Sequence, residues 1–330
     1  MKYIYLALTV FSLLLTGCMH DNNIVGPNNQ RQLSFVYDYS TPSPCNQTTP
    51  YTIGSTDYGF LALGSNGMQI INITNPSLPQ YVQGYNIPGI QEEVALAKIN
   101  DTNYAFLSSG NSGVTILDVN NPLSVYMDTT VYFSDYINTV FIDTVHKILY
   151  AGGVASKVYI MNIANLPAVS MIYTYTTQNN VNSIKVQNNI AYIAHDGGLE
   201  IISVTNPAAP FRLANGTSDD YAYDIKLDGN IAYIANNENG VFVVDVSNPT
   251  SPREITYIES VGIALAVAID GNYLYVAEDN NGAEVYDISN IAYPRQLAYY
   301  QTGSYSQNIT TYKGFAYSSN YNSMTILRYP

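Results

Sequence analysis

Ile231-Ala-Tyr-Ile-Ala-Asn-Asn-Glu-Asn-Gly240, followed by Val241-Phe-Val-Val-Asp-Val-Ser-Asn-Pro249, decides how the rest of the chain is read. Two short runs rich in β-branched and aromatic residues flank a Gly/Asn turn, which is a strand pair. A third strand, Asp224-Ile-Lys-Leu-Asp228, precedes them across Asp228-Gly229-Asn230, a strong hairpin signal. A fourth, Arg253-Glu-Ile-Thr-Tyr-Ile258, follows the Asn-Pro turn. No amphipathic helical stretch intervenes, so the unit is four short strands.

The unit recurs. Its third strand reappears at Met68–Pro76, Val114–Pro122, Val158–Asn165, Leu199–Pro207, Ala283–Asn290 and Met324–Pro330. Asn75, Asn121, Asn165, Asn206, Asn248 and Asn290 stand 46, 44, 41, 42 and 42 residues apart. An aromatic residue keeps the same period at Phe60, Phe106, Tyr150, Tyr192, Tyr233, Tyr275 and Tyr317. Four strands in each such repeat, without a helix, is the arithmetic of a β-propeller blade. The sequence therefore predicts an all-β fold, a seven-bladed β-propeller of four-stranded blades over residues 33–330. The seventh unit stops before its outer strand, and Leu33-Ser-Phe-Val-Tyr-Asp-Tyr39 upstream resembles one. Pairing it in the last blade would close the ring and cover the exposed edge.

The wording Gly-Leu/Val-x-Ile/Val-Val-Asp-Val-Ser-Asn-Pro-x-x-Pro, best kept in Val241 to Pro252, resembles the LVIVD repeat of secreted and surface-anchored bacterial β-propellers. The likeness covers nearly all of residues 33–330. It is weakest in the first and third units, and Arg328 stands where other units have Asp or Asn. The resemblance implies a propeller outside the cytoplasm and implies little about chemistry.

Residues 1–17 carry one cation, Lys2, then an apolar run of about thirteen residues. A bilayer core of about 30 Å needs a longer helix, whereas a secretory signal does not. The run ends Leu15-Thr16-Gly17-Cys18, which resembles the lipobox of bacterial lipoproteins. By that resemblance cleavage follows Gly17 and Cys18 is diacylated through its sulfur, giving a stable anchor. By the same resemblance an aspartate after the lipid cysteine would favour the inner membrane, and since Met19 stands there the outer membrane is the expectation. Residues 18–32 then read as an Asn-rich flexible tether. With Cys18 lipidated, Cys45 has no partner for a disulfide and is expected to be a buried, inert thiol.

Composition narrows the function classes. Lys and Arg number 12 against 25 acids, a net charge of −13, which repels phosphates and anionic lipid surfaces. Nucleic acid is therefore not an expected partner, and the membrane is contacted through the lipid alone. Trp is absent and only His20, His146 and His195 occur, so neither tryptophan-bearing quinone repeats nor a histidine cage can be assembled. No G-x-S-x-G elbow is present. The second-to-third-strand turns, such as Glu278-Asp279-Asn280-Asn281-Gly282, offer the oxygens that calcium prefers. They lack the D-x-[DN]-x-[DN]-G loop and hairpins need the same residues, so no cofactor is expected, with calcium the alternative. Asn72, Asp118, Asn162, Ser203, Asp245 and Asp287 share one register and are expected to cap turns.

Loops from each outer strand to the next inner strand should share a face with those turns. Glu92, Glu93, Asp135, Tyr136, Asp219, Asp220, Tyr221, Ser304 and Tyr305 lie in them and form a candidate binding rim. The leading reading is an extracytoplasmic binding or scaffolding module for an envelope or extracellular protein, peptide or glycan. The alternative is a polysaccharide hydrolase or lyase using acids near the axis, Asp224 or Glu93. Asp224 reads as the only acid in the register of Thr139, Ser183, Ala266 and Asn308, with Lys226 on the same strand face.

Overall fold

The Asp/Asn-x-x-Asn-Pro wording becomes a double turn in the computed structural model, which describes residues 33–215 and 221–329. Asp245 Oδ1 accepts the Ser247 N–H at 2.9 Å, and three residues on Asn248 Oδ1 accepts the Thr250 N–H at 3.2 Å. Asn72, Asp118, Asn162 and Asp287 make the first of these bonds at 2.9, 2.9, 2.8 and 3.0 Å. Ser203 instead meets the Thr205 hydroxyl at 3.2 Å. Short polar side chains thus satisfy the backbone at five of these turns, in blades 1, 2, 3, 5 and 6, as the register implied.

Among the described residues, 28 strands form seven four-stranded antiparallel sheets. Blade 1 runs from Gln47 to Tyr85, blade 2 from Glu93 to Val131 and blade 3 from Ile137 to Thr176. Blade 4 spans Val181 to Asn215, blade 5 Asp224 to Ile258 and blade 6 Ala264 to Tyr300. Blade 7 has three strands from the C-terminal region, Ser306–Tyr312, Phe315–Asn320 and Ser323–Arg328. Its outer strand is Ser34–Ser40, which pairs Ser34 with Arg328 and Ser40 with Ser323. The predicted seven-bladed ring, closed by the N-terminal strand, is the observed one.

Seven buried clusters fill the seven seams between blades. The recurrent aromatic on each second strand is buried in every blade. Tyr150 and Val158 of blade 3, for example, pack on Val181 and Ile184 of blade 4. Burying such a ring contributes on the order of 2 to 3 kcal/mol, so the periodic aromatic is a seam residue. Gly67, Gly113, Gly240 and Gly282 have φ between +74° and +91°. A Cβ there would meet an outer-strand carbonyl at 2.1 to 2.2 Å, which explains the repeated glycine.

The second-to-third-strand turns meet the loops leading into the next blade on one face, here called the upper face. Isolated bridges join Gly64 to Gln91, Gly110 to Ile137 and Asn237 to Ala264. The Asn-Pro turns lie on the lower face, where the chain enters at Ser34 beside Arg328. Among the described residues no helix is long and apolar enough to cross a membrane. Residues 1–32, where a signal segment and a tether with Cys18 were expected, and Asp219 and Asp220 lie outside the described residues.

Candidate functional site

Two consecutive residues at the start of each inner strand build a funnel on the upper face. Strand pairing identifies the deeper of the two. Gln47, Glu93, Thr139, Ser183, Asp224, Ala266 and Asn308 pair with Ala62, Ser108, Gly152, Ala194, Ala235, Ala277 and Ser319. Those partners in turn face the equivalent third-strand positions Met68, Val114, Val158, Leu199, Val241, Ala283 and Met324. The residue before each forms the shallower ring: Asn46, Glu92, Asn138, Asn182, Tyr223, Leu265 and Gln307.

This register corrects one expectation. Asp224 is not the only acid of its ring, because Glu93 occupies the same position in blade 2. Glu93 also opens the inner strand and is no loop residue. Blades 3, 4, 6 and 7 carry a register shift at this point, while blades 1, 2 and 5 pair without one. In the first two blades the first hairpin is also longer, Gln47 and Glu93 standing 13 residues before Phe60 and Phe106 where Asp224 stands 9 before Tyr233, so counting back from the aromatic misplaces them.

The deeper ring fastens blade to blade. Gln47 Oε1 accepts the Val94 N–H at 2.8 Å, Glu93 Oε2 that of Val140 at 3.1 Å, and Asp224 Oδ2 that of Val267 at 3.2 Å. Glu93 also accepts from Gln47 Nε2 at 3.2 Å and from the Thr139 hydroxyl at 2.7 Å. Asp224 accepts from the Ser183 hydroxyl at 2.9 Å and from Lys226 Nζ at 2.7 Å. Burial alone would raise the Asp224 pKa, but Lys226 and Lys185 outweigh it and hold the carboxyl below its ordinary range. Lys185 donates to the Ile184 carbonyl at 3.0 Å, and burial followed by repulsion from Lys226 lowers its pKa. Every carboxylate oxygen of Glu93 and Asp224 is thus engaged by the protein, a geometry for holding strands in place.

The shallower ring adds latches. Asn46 Nδ2 donates to the Gln91 carbonyl at 3.0 Å, Asn138 Nδ2 to Val181 at 3.1 Å, and Asn182 Nδ2 to Ala222 at 3.0 Å. In each case the acceptor lies two residues before the next blade's deeper-ring residue. Glu92 replaces the asparagine in blade 2, accepting from Asn46 at 2.9 Å and from the Tyr136 hydroxyl. Blades 5 to 7 place Tyr223, Leu265 and Gln307 at this position, so the funnel has a latched half and a more apolar half.

The funnel encloses about 580 Å³. Glu92, Glu93, Asn138, Asn182, Tyr223, Asp224, Asp279 and Tyr305 are among its lining residues. Of the rim residues named from sequence, Glu92, Glu93 and Tyr305 line it, and Tyr136 is joined to it through Glu92. Tyr221 is exposed and stacks on Tyr223 at 6.3 Å between ring centroids. Asp135 turns inward instead, accepting from the Ala155 N–H at 2.9 Å and the Tyr159 hydroxyl at 3.2 Å. Ser304 accepts through its carbonyl from the Thr302 hydroxyl at 2.6 Å, closing the loop into blade 7. Sequence reasoning missed Asn46, Asn138, Asn182, Gln47, Gln307 and Asp279 as funnel residues. For the five amides the available signal was their place one residue before, or at, the Asp224 register, whereas Asp279 lies in a second-to-third-strand turn. Among the described residues no group of three His, Cys, Asp or Glu side chains could hold a metal.

Comparison with known proteins agrees with this architecture. Solved structures similar in fold include the computationally designed Ika8 protein, at 10% identity and a TM-score of 0.65, covering 91% of this chain and 100% of that one. U3-55K is similar at 11% identity and a TM-score of 0.70, covering 90% and 98%. At such identities the likeness concerns the fold alone. No curated protein matches the chain. The LVIVD repeat model matches residues 55–87, 101–131, 179–214, 219–258 and 261–302. These matches fall on blades 1, 2, 4, 5 and 6, and blade 3 departs from the pattern by its longer third and outer strands, Lys157–Asn165 and Ala168–Thr176. With the repeat wording matched over more than half of its length and its double turns now explained, the chain belongs to the LVIVD-repeat family.

Proposed function

We propose that this propeller is an extracytoplasmic, lipid-anchored binding or scaffolding module that offers its upper face to a protein, peptide or glycan. One observation carries the reading: the funnel opens on the face opposite the one where the chain enters at Ser34. A tether leaving there would turn the funnel away from the membrane. Aromatic rings at the mouth, Tyr305 and Tyr221, are 48% and 47% exposed and can cover apolar ligand surface. The amides and carboxylates beneath them can fix its orientation.

The test uses the full chain in detergent, incubated with envelope extracts beside a variant carrying Tyr221→Ser and Tyr305→Ser. Both side chains are exposed, so the variant should melt with the parent. It should also lose the bound partner, and the parent's binding should weaken with salt where charge contributes. A partner retained undiminished by the variant assigns binding to the lower face and ends this reading.

A further inference from the structure

The half of the funnel formed by blades 5 to 7 is built differently from the latched half. Ile263, Leu265 and Tyr223 supply an apolar shelf there. At its edge the 3-10 turn Asp279–Asn281 packs against the inner strand of blade 7. Asp279 Oδ1 and Asn308 Oδ1 both lack a hydrogen-bond partner and both residues line the funnel. Among the described residues no Lys, Arg or His lies within ion-pair distance of Asp279. Desolvation accordingly raises its carboxyl pKa with nothing to offset it. Elsewhere in the rings the acids are matched by donors, so this corner is short of donors and of positive charge.

We propose that this corner receives the side-chain ammonium of a lysine on a partner polypeptide, with Asp279 and Asn308 as acceptors and the shelf along the aliphatic stem. The inference rests on the binding-module reading and names its ligand chemistry. An ammonium brings three donors and no acceptor, which suits two unpartnered oxygens. A sugar hydroxyl would bring acceptors as well. A guanidinium fork favours both oxygens of one carboxylate, but Asp279 Oδ2 already accepts from Asn280 Nδ2 at 3.2 Å. A lysine stem of four methylenes gains by lying on Leu265 and Ile263, whereas an N-terminal ammonium has no such stem. Both unpartnered oxygens are shielded from water as they stand, and the soft terminal torsion of Asp and Asn lets them turn toward the ligand. The net charge of −13 attracts a basic partner from a distance.

Calorimetric titration of the full chain with short peptides tests this. Acetyl-Gly-Lys-Gly-amide should bind, and the same peptide acetylated on the lysine Nε should bind at least about tenfold more weakly, as expected when a charge-assisted bond is lost. In an Asp279→Asn variant of unchanged melting temperature the two peptides should become equivalent. Gly-Gly-Gly-amide, with only its amino terminus free, should bind more weakly than the lysine peptide. Failure of the lysine peptide to bind, equal binding of the acetylated one, undiminished binding by Asp279→Asn, or tighter binding of the free amino terminus each overturns the inference. Binding of chitotetraose instead, lost in Tyr305→Ser, would overturn the lysine inference while leaving the funnel a binding face. A partner indifferent to both Tyr221→Ser and Tyr305→Ser would remove both.

Discussion

Glu278 shows how one residue departs from the repeat. Its position, at the end of the second strand, is Ser109 in blade 2, His195 in blade 4 and Asn320 in blade 7. Each of these meets a polar group on its third strand: Ser109 with Thr115 at 3.2 Å, Asn320 with Thr325 at 2.8 Å, His195 near Glu200 at 3.8 Å. In blade 4 the charge of Glu200 is offset by Arg212 Nε at 2.8 Å. Blade 6 has Glu278 and Glu284, both fully buried, and Gln296 where blade 4 has Arg212. Burial first, and then the neighbouring Glu284, push the Glu278 pKa far above its ordinary 4.5. The sign follows: the raised group contributes its full stability below pH 4.5, and that contribution shrinks as pH climbs toward the elevated folded-state value. Glu278→Gln should therefore match the parent near pH 4 and exceed it by about 1 to 3 kcal/mol at pH 8. Melting curves across that range decide it, and a gap that does not widen with pH refutes the assignment. Cys45 is the other residue whose role follows from burial: its thiol is pushed up to about 11 and its sulfur sits against Thr48 at 3.4 Å. It is a seam residue between blades 7 and 1, buried as its sequence context suggested.

Among the elements, Ser34–Ser40 is the one borrowed across the whole chain. It covers the outer edge of Ser323–Arg328, where Arg328 closes the register against Ser34 and Tyr39 faces Met324. Leu33 beside it is buried in the seam with blade 6. Deleting residues 33–40 would open that edge and empty part of the seam, and should lower unfolding stability by at least about 4 kcal/mol in urea titration. A deletion variant that unfolds at the parental midpoint would mean that the strand closes nothing. This element was legible in the sequence because each strand's neighbours are fixed by the period: Asn-Pro double turns, a buried aromatic and a positive-φ glycine recur in step. The funnel was less legible. Tyr305 and Glu92 could be placed on the upper face from their loops, but which inner-strand residue reaches the axis depends on the length of the first hairpin, which is longer in blades 1 and 2 than in blade 5. Gln47 and Glu93 stand 13 residues before the recurrent aromatics Phe60 and Phe106, whereas Asp224 stands 9 before Tyr233, so Glu93 and Gln47 were not aligned with Asp224. Asp135 shows the opposite case, a loop acid whose inward turn depends on Gly153, where a Cβ would lie 2.4 Å from Asp135 Oδ2.

At the scale of the whole molecule, the lower face takes the chain in and the upper face carries the funnel, so chain entry and funnel are on opposite sides. Labelled palmitate should enter the wild type and not Cys18→Ser, which should accumulate with its signal segment uncleaved. Detergent partitioning of a cleaved Cys18→Ser protein would refute the lipid anchor. The ring closure has a further, mechanical consequence. Ser34 and Arg328 are paired neighbours, so handles drawn apart from residues 33 and 328 would peel the closing strand from its partner one pair after another. A load applied between residue 33 and the funnel acts along the strand and shears all its pairs together. Single-molecule pulling should find a higher rupture force with handles at residues 33 and 305 than with handles at 33 and 328, and equal forces would contradict it. A partner tugging on the upper face would thus strain the propeller in its strong direction, while its weak direction lies between residues 33 and 328, which such a load never separates.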